Sequence, residues 1–219
     1  MVYAAGMTPT QPSASRLFTA FSVATFVILG ASLALARDRF TWVLEVFPIL
    51  LGFPVLVATR QRFPLTGLLY GLLLAHFGVL ALGGVYTYAE VPLGFWMQDW
   101  FGFARNHYDR IGHFFQGFVP AVLVREVLLR TSPLRPGGWL GFLTVCVCLA
   151  VSALYELIEW WTAAIQGASA EAFLGTQGDV WDAQWDMFLC LIGATVSVLL
   201  LRRVHDRALA RLFRTEGVR

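Results

Sequence analysis

Lysine is absent: all 16 basic residues in the 219-residue chain are arginine, and charged residues make up only 14% of it. A soluble domain carries about 25% charged residues, so the shortage excludes an ordinary soluble enzyme and a solvated disordered chain. Cysteine is scarce too. Cys146, Cys148 and Cys190 all fall in apolar runs, which excludes a disulfide scaffold. One residue separates Cys146 from Cys148, too few for the usual zinc spacing, so all three read as buried small hydrophobes. The formal net charge of +2 offers no basic surface for nucleic acid. Phosphate-binding glycine loops, nucleophile elbows and internal repeats are also missing.

Hydrophobic residues make up 58% of the chain, with 18 Phe, 8 Trp and 6 Tyr. The fold class that follows is all-α, a polytopic transmembrane bundle of six helices. Leu17 to Ala36 is uncharged and long enough to cross a bilayer. Ala34-Leu35-Ala36 resembles a signal-peptide cleavage site, but the run exceeds an ordinary signal core, so a retained helix is expected. Further spans are expected near 41–59, 65–86, 109–129, 139–161 and 182–201. Pro48 and Pro54 should kink the second. Residues 87–108 mix Phe95, Trp96, Trp100, Phe101 and Phe103 with charges, which suits a segment lying in the membrane interface. Residues 1–15 read as a flexible cytoplasmic tail, 16–201 as the transmembrane domain and 202–219 as an arginine-rich cytoplasmic tail.

Arginine placement orients the bundle. With six spans, twelve arginines fall on the side of the two termini and four, Arg37, Arg39, Arg105 and Arg110, on the other. Both termini are therefore expected in the cytoplasm of an inner-membrane protein. Ten of the 14 acids lie on the opposite, outer side. Acids contribute little to topology, so their clustering needs a chemical reason.

Three segments carry it. Asp109 and His113 are four apart at the start of the fourth span, with His107, Arg110 and Gln116 beside them. Glu156 and Glu159 are three apart at the end of the fifth, and Asp182 and Asp186 four apart at the start of the sixth, after Asp179. Such spacings put each pair on one helix face, and alternation of spans brings all three segments to one membrane face. Crowded carboxylates cannot all ionise without a cation. A divalent metal held by Asp109, His113, Glu156, Asp182 and Asp186 would resolve the repulsion and activate water. Shared protons, as in a relay, or pairing with Arg110 would resolve it equally well. Helix-terminal acids also have a purely structural use. Within the set, Asp109, His113, Glu156, Glu159, Asp182 and Asp186 are the candidates for acid–base work, and Arg110, His107 and Gln116 for binding substrate. His76 in mid-span is either a satisfied core histidine or a relay member. Glu45 either snorkels outward or joins the cavity. Arg125 and Glu126 read as an interfacial pair, and His205 as solvated.

These segments also resemble a known family. The string from Arg105 through Asn106-His107-Tyr108-Asp109-Arg110-Ile111-Gly112-His113-Phe114 to Ala121 is similar to the signature of the YjdF-like bacterial inner-membrane proteins. So are Ser152 to Trp161, Phe173 to Asp179 and Trp181 to Met187. The resemblance covers roughly residues 85–200; it implies an inner-membrane location and, for a domain of unknown function, no particular reaction. A more distant resemblance is to VanZ-like membrane proteins, with an Asp-Lys-x-x-His-Phe opening, a Glu three before a Gln, and an Asp four before an Asn. Asp109, His113, Phe114, Glu156 and Asp182 match; Arg110, Glu159 and Asp186 replace Lys, Gln and Asn. Two functional readings follow: a site at the outer face acting on an envelope or lipid-linked molecule, or a proton- or ion-coupled carrier if the polar path continues through Glu45 and His76. A structural protein with its acids paired is the third.

Overall fold

The structure is a computed structural model, and it describes residues 11–166 and 176–213. The first ten residues, Glu171, the glycines at 167 and 175, and Arg214 and Arg219 lie outside the described residues. Those described form helices α1 (Gln11–Leu35), α2 (Arg39–Glu45), α3 (Phe47–Thr59), α4 (Gly67–Tyr86), α5 (Pro92–Phe101), α6 (Tyr108–Thr131), α7 (Gly138–Gln166) and α8 (Asp182–Leu212), with a 3-10 turn at Tyr88–Glu90. Among the described residues there is no strand. A helix satisfies its own backbone polar groups, which is what a segment in hydrocarbon needs.

Five helices are long and apolar enough to cross a membrane: α1, α4, α6, α7 and α8. The expected second span is the pair α2 and α3, bent by 55°. Its break falls at Val46, just before Pro48, which sits in the first turn of α3 where a missing N–H costs nothing. Pro54 is accommodated inside α3 without ending it. The aromatic segment forms α5, whose Trp96, Trp100 and Phe101 are exposed, as an interfacial helix requires.

Among the described residues the core forms three clusters, two of which fix the helices that carry the site. In the first, Phe21 of α1 packs against Tyr70 and Phe77 of α4 and Phe53 of α3, with ring centroids 4.9–6.0 Å apart. Trp42 donates its indole N–H to Ser32 Oγ at 3.0 Å, fastening α2 to α1. In the second, α6 lies against α8 with glycine on both sides. A Cβ at Gly117 would meet the Cys190 carbonyl, and one at Gly193 the Phe114 carbonyl. Small residues give such backbone approach, and with it van der Waals contact, in membrane bundles. Cys148 and Cys190 are buried as expected, but Cys146 is exposed on the outer wall of α7.

The basic stretch after Leu201 continues α8 for three more turns, to Leu212. His205 is not solvated but fully buried. Its Nδ1 faces Arg125 Nη1 at 2.9 Å and its Nε2 faces Glu126 Oε2 at 3.1 Å. Arg125 can only donate, so Nδ1 accepts and Nε2 carries the proton. Arg125 also donates to Asp206 at 2.6 Å, and Glu126 accepts from Arg130 at 2.8 Å and from Thr66 at 3.2 Å. Arg125 and Glu126 therefore do not form a simple interfacial pair; each is buried and held by α8, α4 or its own helix. Burial of so many charges is tolerable because each has a partner.

Candidate metal centre

At the other end of the bundle the start of α6, the end of α7 and the start of α8 meet. Asn106 sets the start of α6. Its buried side chain donates to the Val91 carbonyl at 2.9 Å and accepts from the Tyr108 N–H at 3.0 Å. Gln177 then clamps the Asn106 main chain from both sides, accepting from its N–H and donating to its carbonyl. One turn into α6 stands His113, which is buried.

His113 is surrounded by acceptors. Its Nε2 lies 3.3 Å from Asp109 Oδ1 and 3.8 Å from Asp186 Oδ2. Its Nδ1 lies 2.9 Å from Gln116 Oε1 and 3.9 Å from Glu156 Oε1. Gln116 Oε1 also receives the Ser152 hydroxyl at 3.4 Å, so Gln116 bears on His113 directly. One ligand atom each from Asp109, His113 and Asp186 lies within 4.8 Å of the others, close enough to hold one ion. Oxygen and imidazole nitrogen ligands suit divalent metals. Glu156 Oε1 and Asp186 Oδ1 are buried with no hydrogen-bond partner. Buried polar atoms are rarely left so, and an occupant with positive charge answers both.

The remaining sequence candidates divide into two groups. Glu159 stays on the same stretch of α7, half-buried and in electrostatic range of Glu156 and Asp109. Asp182 is drawn away from the His113 group: its Oδ1 accepts from Arg105 Nη2 at 2.6 Å. Arg105 also reaches the Thr176 carbonyl and Asp179. Arg110 donates to the same Asp179 oxygen at 3.2 Å, and its guanidinium lies over the Trp185 ring at 5.0 Å. Arg110 Nε and His107 Nδ1 are buried without partners. Burial and the positive charges of Arg110 and Arg105 lower the His107 pKa, so the ring is neutral near pH 7.

Sequence reasoning counted Arg105 only as a topology marker and missed its place between Asp179 and Asp182. Its position opening the Asn106-to-Phe114 string was the one available signal. Glu45, left open between two fates, is buried at the break between α2 and α3 with Oε1 unpartnered, in electrostatic range of Asp109 and His113. His76 is likewise buried, close to His113 in charge terms, with Nε2 unpartnered.

Comparison with known proteins agrees with this architecture. Residues 16–207 match the family described as "Predicted membrane protein (DUF2238)". The chain is 52% identical over 176 residues to the inner membrane protein YjdF of Escherichia coli (strain K12), covering 80% of this chain and 84% of that one. No solved structure matches it. With its apolar helices, its bent second span and a family match across nearly its whole length, the chain belongs to the DUF2238 family of predicted membrane proteins.

Proposed function

We propose that this protein binds one divalent cation through Asp109, His113 and Asp186 and uses it at the outer membrane face on an envelope or lipid-linked molecule. The observation that carries the reading is the shared reach of those three ligand atoms, with the other nitrogen of His113 taken up by Gln116. A metal-bound histidine characteristically donates its second N–H to a carbonyl or carboxylate, which fixes the tautomer and the ring. Gln116 acts in this way on His113. Bound there, a cation would polarise a phosphoryl or carbonyl oxygen or lower the pKa of a water. Glu156, with one free oxygen beside His113, is the group placed to move a proton. Asp182 holds Arg105, while Asp179 accepts from both Arg105 and Arg110. The arginine bias supports the outward orientation of this end.

Elemental analysis of the purified chain tests the reading. The expected result is one divalent cation per chain, lost in Asp186→Asn and kept in Asp182→Asn. A wild-type protein that carries no metal and takes up none after chelation and reloading contradicts it. A second reading, an ion- or proton-coupled carrier, is favoured by the buried, unpartnered Glu45 Oε1 and His76 Nε2, which extend the polar centre away from the α6 terminus. Ion flux into vesicles containing the protein, abolished by Glu45→Gln, would favour the carrier; its absence favours the surface site.

A further inference from the structure

At the arginine-rich end of the bundle the first turns of α7 and the second half of α8 leave a groove of about 610 Å³ between them. Gly141 lets the two helices approach there: a Cβ on it would lie 3.1 Å from Val198 Cγ1, and both residues line the groove. The lining is sorted along the helices. Arg202 and Arg203 of α8 stand at one end, beside Gly137 and Gly138 where α7 begins. Phe142 and Val145 of α7 and Val198 and Leu199 of α8 follow towards the middle of the bundle. The groove is therefore charged at its mouth and apolar beyond it.

The charge at the mouth is unbalanced. Arg125 also lines the groove, but it donates to Asp206 at 2.6 Å, so that pair cancels. Arg202 and Arg203 are exposed, and among the described residues neither side chain makes an ion pair or a hydrogen bond. Both guanidinium groups are thus open to a ligand. Trp139, in the first turn of α7, is exposed, and tryptophan of this kind settles at the level of lipid headgroups. The mouth lies at that level, and the apolar stretch lies where acyl chains begin. Phe142 and Leu199 on its two walls are exposed as well.

We infer that this groove takes an anionic phospholipid of the adjoining leaflet, with its headgroup phosphate on Arg202 and Arg203 and an acyl chain along Phe142, Val145, Val198 and Leu199. Any lipid can cover the apolar stretch, so the two arginines decide which one is held. Guanidinium groups bind phosphate through charge-assisted hydrogen bonds. A choline or ethanolamine head adds an ammonium group, and the acid at the mouth, Asp206, is already held by Arg125. A head of net negative charge therefore fits the two arginines best. The lipid would bridge α7 and α8 at the end opposite the His113 group, and its binding needs no metal.

Native mass spectrometry of the full chain in a neutral detergent, titrated with lipid, tests it. The probes are dioleoylphosphatidylglycerol, dioleoylphosphatidylcholine and glycerol phosphate. Phosphatidylglycerol is expected to bind one per chain and more tightly than either of the others. The double variant Arg202→Gln/Arg203→Gln should weaken it by about thirtyfold, the combined worth of two arginines near anionic lipid, and should bind the two lipids alike. Arg207→Gln/Arg211→Gln removes the same charge from α8 outside the groove and should leave the preference intact. All four positions are exposed, so each variant should keep the wild-type melting curve. Equal binding of the two lipids by the wild type overturns the inference. So does an equal loss in both double variants, which would mean diffuse attraction to the whole helix end. Glycerol phosphate binding as tightly as phosphatidylglycerol also overturns it, since the arginines would then hold a free ion and no chain. Chelated protein should bind the lipid unchanged, so a failed metal analysis and a failed lipid titration are separate results.

Discussion

His113 has oxygen acceptors on both sides of its ring, and only Gln116 among them is not a carboxyl group. The amide holds one nitrogen and leaves the other facing Asp109 and Asp186. Gln116→Leu removes that hold without touching a ligand. It should weaken manganese binding by about 10–100-fold, the usual loss when such a supporting partner is removed; titration with Mn²⁺ measures it. His107 differs because burial and two arginines lower its pKa. Its folded value lies below the unfolded one of about 6.5. The stability that goes with the neutral ring is therefore complete above pH 6.5 and falls as the pH drops toward the folded value. His107→Gln should flatten the loss of melting temperature between pH 7 and pH 5. An unchanged acid slope would assign that loss to other groups.

At the scale of helices, the α6–α8 contact holds the site together, because it sets Asp109 and His113 against Asp186. Gly117→Ala or Gly193→Ala forces a methyl group into the facing backbone. Overpacking of this kind costs about 1–3 kcal/mol, and metal binding should fall with stability. Gly78→Ala, which meets open space, should leave both unchanged. At the opposite end Thr66 caps α4, accepting from the Leu69 N–H at 3.3 Å, and donates to Glu126. Thr66→Ala should cost about 1–2 kcal/mol, as lost helix caps do, read from thermal unfolding in detergent. Most of the helices were legible as apolar runs, and the bend before Pro48 followed from proline chemistry. The extension of α8 was not. Arg202, Arg203, Arg207 and Arg211 look like a solvated tail, and only pairing across α6 reveals that His205 and Asp206 face Glu126 and Arg125.

For the molecule as a whole, charge is divided between two ends, acids and His113 at one and most arginines at the other. That division could be read from spacing and span alternation alone, as could the association of Asp109, His113, Glu156 and Asp186. What spacing could not supply was the competition among partners. Arg105 takes Asp182 at 2.6 Å, so an acid that fits the helical pattern is directed elsewhere. Glu45 is buried within electrostatic range of Asp109 and His113 at the break between α2 and α3, a tertiary fact with no local signature. If the arginine bias orients the bundle, a reporter at the C terminus that works only outside the cytoplasm should be inactive; an active one reverses the topology and puts the site inside. The most direct test of the centre is pulsed electron paramagnetic resonance on the Mn²⁺-loaded chain. Coupling to one imidazole nitrogen, present in the wild type and lost in His113→Asn, is the predicted result. A manganese signal with no nitrogen coupling, or one unaffected by that substitution, would contradict a cation held by Asp109, His113 and Asp186.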